Sequence, residues 1–374
     1  MKDATKGDGV RFSAESSTAY SEWALQHGGE ISVMLLSWFD RSARNLPWRS
    51  VRDPYRVLLS ELMLQQTQVA TVIPYYKRFL LQWPTLLDLA GADDQAVLKA
   101  WEGLGYYSRA RNLLAAVRAV VEQHDGVIPC GEKDLLQLKG IGEYTAGAIR
   151  SIAFGLPAAA VDGNVVRVFS RLTATTWQPA DLAHRRQVRT LVEKVIPPDR
   201  PGDFNEALMD LGATICLPQN PVCADCPVRS SCRAFETASV ARFPDKKPAR
   251  EKPVEQRTCL MITKGGLVHV NRRPDHGLLA GLYEFDWHDG ALPLLSAGWP
   301  AVRTELGQLR HVFTHKIWLV DGLRIDLMVN PDTNWPDHFD DPGRWVGPDE
   351  LKTLPFPKVL IQWRDDLVVA LSSV

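Results

Sequence analysis

The chain is 374 residues long, 45% hydrophobic and 23% charged, with a formal net charge of −1. That length accommodates two or three domains with sizeable cores, and no apolar run approaches the ~18 residues of a membrane-spanning helix. The near-zero total hides a mild asymmetry, 23 basic against 20 acidic residues over 31–235 and 12 against 15 over 256–374, so the first region suits a polyanionic surface without demanding one.

Residues 1–29 are small and polar and read as a flexible N-terminal extension. No charged-then-apolar signal segment opens them, which predicts a cytoplasmic protein and suits a bacterial cell. From Glu30 a helix runs through Ile31, Met34, Leu35, Trp38 and Phe39 and stops near Asn45-Leu46-Pro47. Apolar residues then recur at spacings of three and four over 57–69, 72–83, 95–102, 108–122, 132–138, 145–154, 164–172, 185–195 and 204–213. This predicts an all-α domain over 30–235. Residues 236–256, with three prolines among Lys, Arg and Glu, read as a linker. Beyond it the period changes to that of strands at Arg257–Thr263, Leu267–Asn271, Tyr283–Trp287, Gln308–Thr314, Lys316–Val320 and Gly322–Val329, with a hairpin at Gly265-Gly266. A helical piece near 293–306 and a last helix over 359–373 complete a separate α+β domain, 257–374.

The stretch Leu138–Val168 organises the first domain. A glycine hairpin, Gly140-Ile141-Gly142, opens a small-residue helix from Thr145 to Phe154, and Gly155 and Pro157 break it. Such a hairpin presents backbone N–H groups to an anion, here a DNA phosphate, although Gly-x-Gly beside a helix also serves as a plain turn. Asp162 is a candidate catalytic carboxylate; taken alone, it reads first as the N-cap of the next helix, the commonest place for an aspartate, and Asn164 as a turn residue. Glu61 lies among Leu58, Leu59, Leu62, Met63 and Leu64. A carboxylate buried there would have a raised pKa, as a general acid needs, whereas a surface Glu on the polar side of the helix would not. Gln65 and Gln66 follow, and the glycine-rich loop Trp101–Arg109 offers Tyr106 and Tyr107 either as wedges for a base stack or as core residues.

Four of the six cysteines, Cys216, Cys223, Cys226 and Cys232, crowd into seventeen residues with the spacing C-x6-C-x2-C-x5-C. Without a signal peptide, this favours metal ligation over disulfides. Four thiolates in so short a loop can close a [4Fe–4S] cluster; a structural zinc site uses the same donors, though usually as two C-x2-C knuckles.

Taken together, LPWR (46–49), SELMLQQTQV (60–69), WEGLGYYSRARNL (101–113), LKGIGEYTAGAI (138–149), AVDGNVVRV (160–168), FNEALMDLGA (204–213) and the cysteine loop resemble the MutY family, adenine DNA glycosylases of the helix-hairpin-helix superfamily. The resemblance implies a six-helix barrel module over about 55–162 and a cluster module from 30–54 plus 163–235. It implies removal of adenine mispaired with 8-oxoguanine or guanine in double-stranded DNA, by base flipping and hydrolysis of the N-glycosidic bond, in a monomer with no membrane partner. Glu61 matches the general acid and Asp162 the carboxylate that stabilises the oxocarbenium-like sugar, with Tyr144 and Asn164 in support. Arg44, Trp48, Arg49, Leu64 and Glu206 match the adenine pocket. Gln66, Leu104 and Tyr106 match residues that fill the stack and touch the opposite base, and Gly140, Gly142 and Thr145 match the DNA-binding hairpin.

Endonuclease III-type enzymes carry a Schiff-base lysine where this chain has Tyr144, so a monofunctional glycosylase that leaves an abasic site is expected. Lys139 replaces the proline of the commoner Leu-Pro-Gly, losing a rigid φ and gaining a cation. GLLAGLYEFDW (277–287) resembles the core of Nudix-type domains, but no acidic Mg²⁺-binding helix follows, which favours recognition over hydrolysis. Phe313-Thr314-His315 matches the family's Phe-Ser-His loop for 8-oxoguanine, with Thr adding a methyl. The alternatives are a bifunctional glycosylase/lyase and a non-catalytic DNA-binding iron–sulfur protein.

Overall fold

A computed structural model describes residues 16–245, 251–290, 301–327 and 343–373, with side chains from residue 22 onward. The chain forms two compact units, one from Met1–Ala90 with Ala115–Pro248 and one from Gly91–Leu114 with Ala249–Val374. The segment 91–114 makes its contacts with the second unit while continuing the helical series of the first in sequence.

In chain order the helices are α1 (Ser16–Ser42), α2 (Pro54–Leu64), α3 (Val69–Gln82), α4 (Leu86–Ala90), α5 (Asp94–Ala100), α6 (Ser108–Gln123), α7 (Glu132–Gln137), α8 (Glu143–Ala148), α9 (Gly163–Thr173), α10 (Leu182–Val195), α11 (Pro201–Thr214) and α12 (Arg233–Glu236). Aspartates start several of them. Asp53, Asp93, Asp162 and Asp181 each accept a hydrogen bond from a first-turn N–H of α2, α5, α9 and α10, and Pro54 and Pro201 open their helices where no N–H is needed. The core of the first unit is built by α1, α9, α10 and α11 around Phe169, Leu191, Phe204 and Leu211, each at most 1% exposed. Burying each such side chain contributes about 1.5–3 kcal/mol.

Part of the expected N-terminal extension is corrected: α1 begins at Ser16, while residues 1–15 lie outside the described chain. Polar residues dominate this segment, but Ala24 is buried and Trp23 sets its ring edge-on against Phe169 at 6.3 Å. Further on, Ser32 Oγ donates to the Val195 carbonyl at 2.7 Å, tying α1 to α10. Of the expected linker, residues up to 245 are held on the helical unit by Arg171 Nε to the Phe243 carbonyl at 3.1 Å and Gln178 Nε2 to Asp245 Oδ2 at 2.7 Å.

In the second unit the strands are β1 (Val254–Lys264), β2 (Leu267–Arg272), β3 (Tyr283–Glu284), β4 (Asp286–Asp289), β5 (Ala301–Val312), β6 (Ile317–Leu327) and β7 (Arg344–Val346), followed by α13 (Pro348–Thr353) and α14 (Ile361–Ser372). Among the described residues the sheet runs β3-β2-β1-β6-β5, with β4 on β1 and β7 on β2. β1 and β6 are parallel and the other pairs antiparallel. Gly265 and Gly266, with φ of +54° and +77°, make the expected β1–β2 hairpin. Cys259, Met261, Trp318 and Val320 pack against Leu360, Trp363 and Leu367 at the C-terminus.

Two sequence expectations fail here. Residues 301–306, read as helix, belong to β5, because pairing along the whole of β6 outweighs local propensity; residues 293–300 lie outside the described chain. The two strands read either side of Gly322 are one strand. The glycine is there because any Cβ would collide with the Trp363 ring, not to make a turn.

Candidate active site

One open cavity of about 830 Å³ in the first unit collects most of the residues singled out above. α2 contributes Glu61 and Leu64, α8 contributes Tyr144, the cap and first turn of α9 contribute Asp162 and Asn164, and α11 contributes Glu206. The segment 44–49 adds Arg44, Trp48 and Arg49. Close packing fixes these elements. A Cβ on Gly147 would overlap the Ala159 carbonyl oxygen, so α8 lies directly on the segment leading to Asp162. Buried Asn205 holds that same segment, accepting from Ala160 N–H at 3.0 Å and donating to the Ala158 carbonyl at 2.8 Å. Past Ala148 the helix widens into a π-helical turn, Ile149–Ala153.

Glu61 is 5% exposed, and its Oε2 is buried without a hydrogen-bond partner. Burial pushes its carboxyl up to about 7; a hydrogen bond from the Tyr144 hydroxyl opposes the shift, and the Glu206 and Asp162 charges add to it. Burial, then the Glu61 and Asp162 charges, drive the Tyr144 phenol well above its ordinary value, so it stays protonated. The Tyr144 hydroxyl also lies 3.8 Å from Met209 Sδ. Asp162 is both the N-cap of α9 and part of the cavity wall: Oδ1 accepts from Val165 N–H and Oδ2 from Asn164 Nδ2, both at 2.8 Å. Burial raises its pKa, while the hydrogen bonds from Val165 and Asn164 pull it back. Asn164 Oδ1 accepts in turn from Arg167 Nη2 at 2.9 Å, and Arg167 Nε donates to the Cys216 carbonyl at 2.8 Å.

The expected adenine-pocket charges are already engaged with one another. Arg49 Nε meets Glu206 Oε1 at 2.8 Å, and Arg49 Nη1 and Arg44 Nη2 meet Asp210 at 2.8 and 2.5 Å. Asp210, 1% exposed, was not expected, although the i, i+4 pair Glu206 and Asp210 places two acids on one face of α11. Burial raises Glu206 against the opposing pull of Arg49; Asp210 stands below its ordinary value because the hydrogen bonds from Arg49 and Arg44 outweigh its burial. Trp48 is buried edge-on against Tyr76 at 5.5 Å, and Leu64 is half-buried.

Cys216, Cys223, Cys226 and Cys232 line a second cavity, of about 350 Å³, walled by Val168, Leu172, Leu211 and Ile215. Arg171 Nη1 lies 3.2 Å from Cys216 Sγ. Burial, then the neighbouring thiols, push the Cys226 thiol up to about 12 against a backbone hydrogen bond from Val228, so its thiolate needs a cationic partner. The four cysteines line one apolar cavity, and among the described residues no three of them stand as a set for a single metal ion, so the donor chemistry suits a larger thiophilic group.

Gln66 is exposed with φ of +57°, and Gly140 turns the hairpin at φ +81° with Gly142 exposed after it. Thr145 is 2% exposed and packs within the first turn of α8. Glu143, beside the hairpin, pairs with Arg186 at 3.2 Å. In the second unit an open cavity of about 1110 Å³ brings Leu104 and Tyr106 together with Phe313, Thr314 and His315. Thr314 and His315 are exposed, and Tyr106 is 45% exposed with φ of +48°. The Tyr106 and Thr314 hydroxyls lie 3.1 Å apart. Leu104, at 5% exposure, is buried rather than presented.

Residues 59–198 match the HhH-GPD superfamily of base excision DNA repair proteins, and residues 257–362 match the NUDIX domain. The adenine DNA glycosylase of Rattus norvegicus is 40% identical, the match covering 85% of this chain and 74% of that one. The Homo sapiens adenine DNA glycosylase is 39% identical, covering 85% and 70%. A solved thermostable thymine-DNA glycosylase superposes with a TM-score of 0.53 at 30% identity, over 57% of this chain and 99% of its own.

Proposed function

The chain belongs to the adenine DNA glycosylases of the HhH-GPD base excision repair superfamily, enzymes that hydrolyse N-glycosyl bonds, and from that premise we propose that it removes adenine opposite 8-oxoguanine or guanine in duplex DNA. The observation that carries the reading is Glu61: a buried carboxyl with an unpartnered oxygen, titrating at about 7, in the same pocket as Asp162.

An adenine flipped into this pocket meets a proton donor at neutral pH. Glu61 protonates adenine N7, which makes the base a leaving group. As the C1′–N9 bond breaks, positive charge spreads over the sugar ring, and ionised Asp162, oriented by Asn164 and Val165 N–H, stabilises it. Glu61, now a carboxylate, accepts a proton from the water that attacks C1′. Tyr144 lines the same pocket as Glu61 and is no amine nucleophile, so no Schiff base forms and the product is an intact strand with an abasic site. Trp48 and Leu64 supply apolar walls. Engaged as they are, Arg49 and Glu206 face the base as a pair rather than as a free donor and a free acceptor.

Cys216, Cys223, Cys226 and Cys232 would hold a [4Fe–4S] cluster, which when bound balances four thiolates and cross-links their loop. Phe313, Thr314 and His315, with Tyr106, would read the base opposite adenine, on the exposed cavity of the NUDIX-matching unit.

The test is single-turnover adenine release from duplexes carrying A:8-oxoguanine and A:G, with alkali to reveal abasic sites and borohydride to trap any covalent adduct. Alkali-dependent cleavage without trapping is expected. A borohydride-trapped adduct would establish a lyase instead, and no cleavage at all would leave a DNA-binding protein.

A further inference from the structure

The loop that carries Tyr106 is fastened on both sides to one residue of the C-terminal segment. On one side stands Glu102, whose side chain is 12% exposed. Its Oε1 accepts the Phe356 backbone N–H at 2.8 Å and Arg364 Nη1 at 2.6 Å, and its Oε2 accepts Lys99 Nζ at 3.0 Å. On the other side the Tyr107 hydroxyl donates to the Phe356 carbonyl at 3.0 Å and accepts Gly103 N–H at 3.2 Å. Phe356 is itself buried, its ring 5.0 Å from that of Phe285.

Between these fixings the backbone passes through left-handed conformations at Gly103, Gly105 and Tyr106. For a tyrosine such a φ costs on the order of 1 kcal/mol or more and persists only where the surroundings over-determine it. They do so here: Trp101 Nε1 and Arg109 Nη2 both donate to the Gly105 carbonyl, at 3.1 and 2.9 Å. The result is an exposed ring on a fixed base, with its hydroxyl at the Thr314 hydroxyl.

We propose that Glu102 is a positioning residue for lesion recognition: by binding Phe356 N–H and Arg364 it fixes Tyr106 against Thr314, so that both act as one rigid reading head. This rests on the reading that this unit inspects the base opposite adenine. The charge balance makes Glu102 the sensitive point. Arg364 is 5% exposed, and without the Glu102 anion it is a buried cation left with the Leu354 carbonyl and the exposed Asp365 carboxylate. The softest way to relieve that is to shift the glycine-rich loop, which moves Tyr106. Distinguishing two purines by a few hydrogen bonds requires donors held within about 0.5 Å, so such a shift degrades discrimination before it degrades catalysis.

The test uses the full chain with Glu102→Gln, which keeps an acceptor for Phe356 N–H and removes the anion, and Tyr107→Phe, which removes the second fixing without unbalancing charge. Single-turnover adenine release is measured on A:8-oxoguanine and A:G duplexes. For Glu102→Gln the ratio of the two rates should fall about ten-fold, through the 8-oxoguanine duplex, with the A:G rate within about two-fold of wild type. Tyr107→Phe should lower the ratio less, and the double variant little more than Glu102→Gln alone, because both act on one element. Equal loss on both duplexes would reduce Glu102 to a structural role and overturn the proposal. So would a wild-type ratio in Tyr107→Phe if Glu102→Gln proves unfolded. A wild-type enzyme with no preference for 8-oxoguanine would instead remove the reading beneath it.

Discussion

In the pocket of the first unit the charged groups are buried or half-buried and stand on or beside helices, whereas around Tyr106 and Thr314 in the second unit the polar groups are exposed and stand on loops. Burial is what gives Glu61 its carboxyl at about 7 and leaves its Oε2 unpartnered. Exposure is what leaves the Tyr106 and Thr314 hydroxyls exchangeable with a ligand's groups. Bond-breaking needs shifted protonation, which at Glu61 burial chiefly supplies; recognition needs hydrogen-bonding groups that give up water cheaply. Substitutions in the first region should therefore alter rate and pH dependence, and those in the second should alter choice of substrate.

The largest break comes at Glu61 and Asp162. Glu61→Gln and Asp162→Asn should each lower adenine release by roughly 10²–10⁴-fold while duplex binding, followed by gel shift, survives. Glu61 also leaves a signature in stability. Its carboxyl is raised from 4.5 in the open chain to about 7 in the fold, so the folded protein keeps a proton that the unfolded chain releases. Stability then falls as pH rises from about 4.5 to 7, by up to about 3 kcal/mol. Urea melts at pH 5 and pH 8 should show that loss in the wild type and not in Glu61→Gln, and the wild-type rate should decline above about pH 7 as the acid is lost.

Next in size is Asp210→Ala, which strands Arg44 and Arg49 around a vanished anion and should cost about 3–5 kcal/mol in denaturant melts, with Asp210→Asn costing less. In the second region, Thr314→Val should cost about 1 kcal/mol, some five-fold, on the 8-oxoguanine duplex only, since it removes one exposed hydroxyl and keeps the shape. The smallest effect is expected at Arg186→Ala. It leaves Glu143 unneutralised beside the hairpin and should weaken binding a few-fold on every sequence, with relief in the Arg186→Ala/Glu143→Gln double variant.

The same contrast separates what the sequence made legible from what it did not. Glu61 stood out because it breaks a local rule, an acid in an apolar run; Asp162 before an apolar helix follows the N-cap rule, and Tyr144 is distinctive only against the lysine of endonuclease III-type enzymes, so these two were legible through the joint motif pattern. Helix geometry then carries all three into one cavity. The N-cap and pocket readings of Asp162 turned out to be one, since its oxygens cap α9 from within the cavity wall. Asp210, Asn205 and Arg167 break no local rule. Their partners lie 166, 45 and 49 residues away, at Arg44, Ala160 and Cys216, so only the folded chain reveals them. The strand at 301–306 was hidden likewise, being decided by distant pairing.

Gly147 carries one more consequence. Its hydrogen atom is all that separates α8 from the Ala159 carbonyl, so any side chain there displaces the segment ending in Asp162. Every glycine codon begins with two guanines, and replacing either by thymine yields valine, cysteine, tryptophan or a stop. Guanine-to-thymine exchange is the mutation left behind when adenine opposite 8-oxoguanine is not removed. On the proposed function, the gene encoding this chain is thus vulnerable at residue 147 to the damage its product guards against, and a lineage that loses the activity there gains a mutation rate that makes further losses more frequent.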